Sequence, residues 1–522
     1  MNLKFVTTLI QTLSRQGHRA NLARGLTSGL AAQVVGFLLN LWTVAICVRI
    51  LGGEYGFWLA GFALISAVGL LEFGLGPFLV RETATLRSRN TPAQGWSDLF
   101  STVLDTYLIV ACVIALLGWI VAPWIADLVT AQPGAPEPLV FALRWAAIQI
   151  AVAQPLGIWR SLLHGSQKLA LLGYLALIES ATLALVTTGL LLAWPSVQVL
   201  PFAALLSVTA SALIAWHYTP AEIRGAVWPL TRPTRPLAHS IFKYCRPWVG
   251  AKIAFHVRER IDEPVIARFV GAEAVVMYTV TQRLVRSIPL MLLGQISSLG
   301  FAPLSEVLAT GGKARVRAAV LETFPWLLLF ALGSATLIWA VNPGFVGLWV
   351  GSSYYGGDVL SLVFCSWILL ETLSRGLGVI LYAAGEQSTL VRAQAGEAVW
   401  NLFFSLLLVG PLGVVGVAVG TSLATIASTA WAIPRAVCKS LEITRTHLRN
   451  TFRTGFLIRT TLLVMGIVAA RTLAEGMPWL LKLAIPCVTS ATLALTLFWR
   501  EWRVMLFPGR PNEPGATGSV GG

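Results

Sequence analysis

The chain has 522 residues, 56% of them hydrophobic and only 12% charged, with a formal net charge of +15. A soluble chain of this length needs charged surface for several domains, and average soluble proteins carry about a quarter charged residues. The composition excludes a soluble enzyme, a disordered chain and a secreted disulfide scaffold, and the mean hydropathy of +0.74 makes lipid the main solvent.

Residues 1–26 mix polar and apolar groups, unlike a secretory signal, and the first long apolar run begins at Thr27. A helix needs about 20 mostly apolar residues to cross roughly 30 Å of hydrocarbon. By that rule fourteen stretches are expected to cross: 27–48, 57–80, 101–122, 139–159, 171–193, 198–216, 247–267, 276–301, 324–341, 359–382, 394–410, 412–433, 456–470 and 480–499. With the N-terminus in the cytoplasm, the cytoplasmic segments hold 26 Lys/Arg and the external loops three, Arg49, Arg268 and Arg471. Cytoplasmic loops collect Lys and Arg, so both termini are expected inside, and the +15 reflects topology, not nucleic-acid binding. Six scattered cysteines without a CxxC imply neither a disulfide framework nor a zinc site. No nucleotide-binding loop, metal cluster or catalytic triad stands out, so neither a cofactor nor catalysis is expected.

The chain reads as duplicated. Arg49-x-x-Gly52-x-Glu54 after the first span returns as Arg268-x-x-Gly271-x-Glu273 after the seventh, and Gly165-x-Gln167 returns as Gly385-x-Gln387. Both pairs keep an offset of about 220 residues and fall at equivalent topological places. Six spans per copy is even, so the copies share one orientation and a ligand site is expected between them. The expected organisation is a cytoplasmic segment 1–26, an N-lobe 27–216, a linker 217–246, a C-lobe 247–433, a cytoplasmic loop 434–455, two appended spans within 456–499 and a disordered cytoplasmic tail 500–522.

Ionisable groups inside spans are costly unless they face a cavity or a partner. In the seventh span Lys252, His256, Glu259 and Glu263 recur at spacings of 4, 3 and 4, one stripe of a helix, with Arg260 flanking it. Arg258 and Asp262 are spaced to pair at i,i+4, as are Glu371 and Arg375 in the tenth span. Gln282, Arg283 and Arg286 share a face of the eighth. Spans seven and eight carry five Lys/Arg against three Asp/Glu, so cations are left over, and surplus cations in a wet cavity suit an anionic ligand. Under the repeat offset, Gln33 and Asn40 of the first span correspond to Lys252 and Glu259, and are expected with Gln282 to line the cavity. Glu72, Asp105, Arg144, Glu179 and Glu397 read as lone ionisables. Glu72 and Glu179 lie deep, with no partner apparent from the sequence.

Arg49-Ile-Leu-Gly-Gly-Glu-Tyr-Gly-Phe-Trp58, Glu72-Phe-Gly-Leu-Gly76 and Leu79-Val-Arg81 resemble the amino-terminal pattern of the Wzx-type polysaccharide flippases of the multidrug/oligosaccharidyl-lipid/polysaccharide exporter superfamily. Asp262 with Gly271 and Tyr278 resembles the start of their second lobe. Gly385 through Asn401 and Leu412 through Thr421 resemble their eleventh and twelfth spans. The resemblance covers about residues 27–433, and the charged Arg258-Glu-Arg-Ile-Asp262 departs from it. It implies an all-α polytopic membrane protein of about fourteen transmembrane helices: two six-helix lobes in a V around a central cavity, plus two C-terminal helices. It also implies flipping of an undecaprenyl-diphosphate-linked oligosaccharide across the bacterial inner membrane by ion-coupled alternating access. Membrane lipids, a glycan polymerase and export machinery would be its partners. The diphosphate would then meet Lys252, His256, Arg258, Arg260, Arg283, Arg286 and Arg375, while Glu259, Asp262, Glu263, Glu371 and Glu72 would couple the ion. A multidrug or cation antiporter of the same superfamily is the alternative, and a polytopic glycan polymerase or glycosyltransferase a more distant one.

Overall fold

The computed structural model describes residues 19–89, 92–228, 230–246, 248–309, 312–452 and 454–499, and every regular element among them is helical. The first half comprises α1 (Arg19–Leu51), α2 (Gly53–Ile65), a 3-10 turn Ser66–Glu72, α3 (Leu75–Ser88), α4 (Ala93–Thr130), α5 (Glu137–Gly165), α6 (Leu169–Ala193) and α7 (Val199–Tyr218). Short α8 (Ala221–Ala226) and α9 (Arg235–Cys245) lead to α10 (Trp248–Arg260), α11 (Asp262–Phe269), α12 (Ala272–Ala309), α13 (Lys313–Trp349) and α14 (Gly357–Ala383). The chain continues through α15 (Gln387–Ala427), α16 (Thr429–Ser440), α17 (Arg445–Thr451), α18 (Thr454–Ala474) and α19 (Trp479–Leu497).

Eleven helical segments among the described residues are long and apolar enough to cross a membrane. The expected stretches 394–410 and 412–433 share one of them, Gln387–Ser440. The expected stretches 247–267 and 276–301 fall on α10, α11 and α12, outside that set. Large apolar side chains such as Leu185, Leu192 and Leu473 stand exposed on the outer faces, where only lipid can solvate them. Trp124 and Trp194, also exposed, sit near helix ends as interfacial anchors would.

Two of the expected spans are broken and one helix reverses between two others, each for a local reason. Between α2 and α3 the backbone turns left-handed at Phe73 (φ 48°) and Gly74 (φ 98°). The Glu72 carboxylate caps the new helix by accepting from the Gly76 N–H at 2.7 Å. Pro264 cannot donate to residue 260 and its ring crowds that carbonyl, so α10 ends at Arg260 and α11 begins at Asp262. In α15 Pro411 and Gly413 (φ 56°) reverse the chain without a loop. The two arms lie so close that Gly416 faces the Leu408 carbonyl and Gly420 the Ser405 backbone, leaving no room for a Cβ.

The duplicated motif has a backbone meaning. Gly52 (φ 54°) and Gly271 (φ 122°) each end a helix in a conformation glycine adopts freely. Their N–H groups donate to Val48 and Ile266 carbonyls, both at 3.0 Å. The two copies meet each other: Gly56 of α2 abuts the Ala272 carbonyl of α12, and Gly53 faces Glu273.

At this end one continuous core runs through both lobes, from Val48, Leu51 and Trp58 to Ile266, Tyr278, Ile338 and Ile368. At the opposite end the cores are separate. One contains Phe78, Phe100, Ile158 and Leu162. The other contains Val316, Leu381, Leu390 and Ile433. The lobes therefore join at a closed end and diverge at a split end, which is the V. Ile223, Val227, Ile241 and Cys245 of the α8–α9 connection pack into the first split-end core, and Thr231 donates to Ser101 at 2.9 Å and Asp98 at 2.8 Å. Helices α18 and α19 pack on α13, with Trp479 against Gly347. Arg471 is buried there, pairing with Asp358 at 2.5 Å and lying over the Trp339 ring at 3.7 Å.

Candidate functional site

Where α2 crosses α10, α11 and α12, the two lobes enclose a cavity of about 290 Å³. Leu59 and Phe62 of α2 form its apolar wall, and Thr279, Gln282, Arg283, Arg286 and Ser287 face it from α12. Phe255, Glu259 and Arg260 of α10, with Glu263 of α11, complete it. The i, i+3, i+4 and i+7 spacing of Thr279, Gln282, Arg283 and Arg286 puts them on one helical face. The cavity carries three guanidinium groups against two carboxylates. Arg286 is ion-paired to Glu259. Arg283 is not, and its Nε is buried without a protein partner, as are Thr279 Oγ1 and Glu263 Oε2. Buried polar groups are nearly always satisfied, so three unsatisfied ones around a single cavity mark a place for a polar ligand.

Behind this wall the charges are neutralised. Arg258 is buried and bonds Glu371 at 3.1 Å, Glu397 at 3.1 Å and Glu259 at 2.8 Å. Arg375 bonds Glu371 at 2.5 Å, the i,i+4 pair its spacing predicts, and reaches Glu259 at 3.3 Å. The expected Arg258–Asp262 pair does not form, because the break before Pro264 interrupts the helix between them and Arg258 turns to α14 and α15 instead. Asp262 is buried among neutral donors: the Tyr278 hydroxyl at 2.6 Å, the Thr421 hydroxyl at 3.1 Å and the Asn401 amide at 3.2 Å.

The α10 stripe divides between two surroundings. Glu259 and Glu263 face the cavity. Lys252 instead binds Glu72 at 2.5 Å, and His256 meets the Ala63 carbonyl at 3.0 Å, both across the lobe boundary. Gln33 is exposed and Asn40 half-buried on α1, which packs along α6. Neither lines the cavity, contrary to expectation, because the repeat-equivalent helix is not placed against it; Gln282 does line it. Glu397 is not a lone interfacial acid either: it is buried and accepts from Arg258, Thr425 at 2.8 Å and Thr429 at 3.0 Å. Glu179 has a partner in Arg160 at 2.5 Å, and Arg144 lies over the Trp119 ring at 4.9 Å. Tyr278, Asn401 and Thr421 escaped the sequence reading as site residues. A usable signal was Thr421-x₃-Thr425-x₃-Thr429, hydroxyls on one helical face opposite Glu397 and Asn401.

A family model described as polysaccharide biosynthesis protein matches residues 46–356. No curated protein matches the chain. Among solved structures, the lipid II flippase MurJ in its inward closed conformation is similar at a TM-score of 0.66 and 12% identity, over 91% of this chain and 99% of that one. An inward-facing multidrug resistance MATE family transporter of the MOP superfamily is similar at 0.64 and 15% identity, over 80% and 99%. A MOP superfamily transporter from Pyrococcus furiosus follows at 0.52 and 13% identity, over 80% and 96%. At such identities these likenesses establish the fold.

Proposed function

The chain belongs to the polysaccharide biosynthesis protein family, and from that premise we propose that it translocates a polyprenyl-diphosphate-linked oligosaccharide across the bacterial inner membrane. The observation that carries this reading is Arg283, whose buried Nε has no protein partner, at a cavity between two lobes. Arginine forks match phosphate oxygens, and a ligand site at the repeat interface suits alternating access. The fold shared with a lipid II flippase supports a lipid-linked glycan as cargo. The cation surplus in the cavity disfavours cationic drugs.

Arg260 and Arg283, which no carboxylate pairs among the described residues, take the diphosphate, with Arg286 beside them already paired to Glu259. Arg258 and Arg375 hold the C-lobe wall in place and Lys252 holds the lobe boundary at Glu72, since their charges are already matched. Asp262 and Glu263 couple the ion, because they lack the bonded Lys or Arg that Glu72, Glu259 and Glu371 have. Both termini lie in the cytoplasm, so the split end receives cargo from the inside.

The test is a deletion strain complemented with variants, alongside purified protein in vesicles. Deletion should leave lipid-linked oligosaccharide on the cytoplasmic leaflet and remove surface polymer. Arg283→Ala should fail to complement and bind polyprenyl diphosphate at least tenfold more weakly, while Arg283→Lys recovers part of both. Asp262→Asn should bind normally yet lose the response of transport to an imposed ion gradient. Normal export by Arg283→Ala overturns the assignment of the phosphate site.

A further inference from the structure

The C-lobe contains a second cavity, of about 330 Å³, between α10, α12, α14, α15 and α16. It lies in the split half, beside Leu390 and Ile433 of the C-lobe core. Its charged lining is Arg258, Glu371 and Arg375, part of the matched set in which Arg258, Arg286 and Arg375 bond Glu259, Glu371 and Glu397. Unlike the interlobe cavity, it has no cation to spare. Four further polar side chains line it, Ser374, Tyr382, Gln394 and Thr429; Thr429 donates to Glu397 at 3.0 Å, whereas the Tyr382 hydroxyl and the Gln394 amide make no hydrogen bond to another described residue. Phe255 and Tyr382 supply aromatic surface, each nearly half exposed.

A ligand for this lining is polar but uncharged. It carries donors and acceptors together, and it has an apolar face. Planar carboxylate, guanidinium and amide groups bond neighbouring hydroxyls in pairs, and an aromatic ring takes a C–H face. A sugar ring meets all three conditions, whereas a phosphate needs unmatched cations. The volume is at the lower end of the range of about 300–1,000 Å³ for small-molecule pockets.

The two cavities adjoin. Phe255 lines both, and its neighbours Arg258 and Glu259 belong one to each. We infer that the C-lobe cavity is a glycan subsite: it holds a sugar near the diphosphate while Arg283 holds the diphosphate in the interlobe cavity. Tyr382 and Gln394 would then decide which sugar is accepted. This subsite rests on the translocator reading, and its test separates the two.

Binding is measured on the full chain in lipid nanodiscs with four probes: polyprenyl diphosphate, and the same lipid bearing one glucose, galactose or N-acetylglucosamine. At least one sugar-bearing form should bind tenfold or more tighter than the bare lipid. The isosteric pair Tyr382→Phe and Gln394→Leu, together, should remove that gain and leave the bare lipid's Kd unchanged. Arg283→Ala should weaken bare and sugar-bearing lipids in parallel. Absence of a gain with all three sugars, or equal weakening of the bare lipid by the double variant, overturns the subsite alone. Failure of the bare lipid to bind wild type overturns the translocator reading, and the subsite with it.

Discussion

Glu72 does two things with one carboxylate: one oxygen caps α3 and the other holds Lys252 across the lobe boundary. Removing a single partner of a largely desolvated pair leaves the other uncompensated, at about 1–3 kcal/mol. Lys252→Met is therefore expected to lower the Tm in detergent. Glu72→Gln combined with Lys252→Met should lose less than the two singles together, which a double-mutant cycle measures. Additive losses would mean that the pair does not couple the lobes. The presence of charge on α10 was legible from residue spacing, because helical periodicity is local. Its partners were not, since Glu72 lies 180 residues from Lys252 and Glu397 lies 139 from Arg258. Only the folded chain brings such groups together. Arg283 was legible as a surplus cation for the complementary reason: no acid stands within helical reach of it on α12.

Helix breaks show what a hydropathy window reads and misses. Apolar length located α4, α6 and α14 correctly and broke at Pro411, where the chain reverses, but it passes smoothly over Glu72-Phe-Gly-Leu-Gly76, where the backbone turns. The glycines and prolines were visible; whether each bends, reverses or merely packs a helix depends on what lies opposite. Gly56 shows the packing role, since any Cβ there would strike the Ala272 carbonyl. Overpacking of this kind costs about 1–3 kcal/mol, and here it falls on the contact between α2 and α12 that shuts the closed end. Gly56→Ala is expected to shift the lobes toward opening at that end. Cysteine pairs across α2 and α12 should then cross-link more slowly than in the wild-type background. Unchanged cross-linking would show that the closed end yields without separating.

At the scale of the whole molecule, the Lys/Arg count predicts an orientation without any structural information. The separate split-end cores say which end is parted. Together they predict that cysteines at Gln132 and Ser353 label from outside intact cells while one at Gln387 does not, in a background without other cysteines. Labelling at Gln387 from outside would invert the orientation. The two lobes were legible from the repeated glycine motifs, whose positive-φ turns are a backbone requirement that survives changes of side chain. The placement of the cavity was only half legible. The repeat marks its second-lobe wall, but its first-lobe wall is α2 and not the repeat-equivalent α1, because equivalent helices need not face the cavity equally.

The unequal charge of the interlobe cavity has an electrical consequence. Three guanidinium groups against two carboxylates leave about one positive charge in the empty cavity. Carrying one charge across the full membrane field is worth about 2.3 kcal/mol per 100 mV. With the inside negative, voltage holds the empty cavity toward the cytoplasm. On the proposed function, a bound diphosphate would reverse the sign of the loaded cavity, so the same voltage would then favour the outward orientation. The field would bias both halves of the cycle toward export, the outward step through the cargo's charge and the return step through the protein's own.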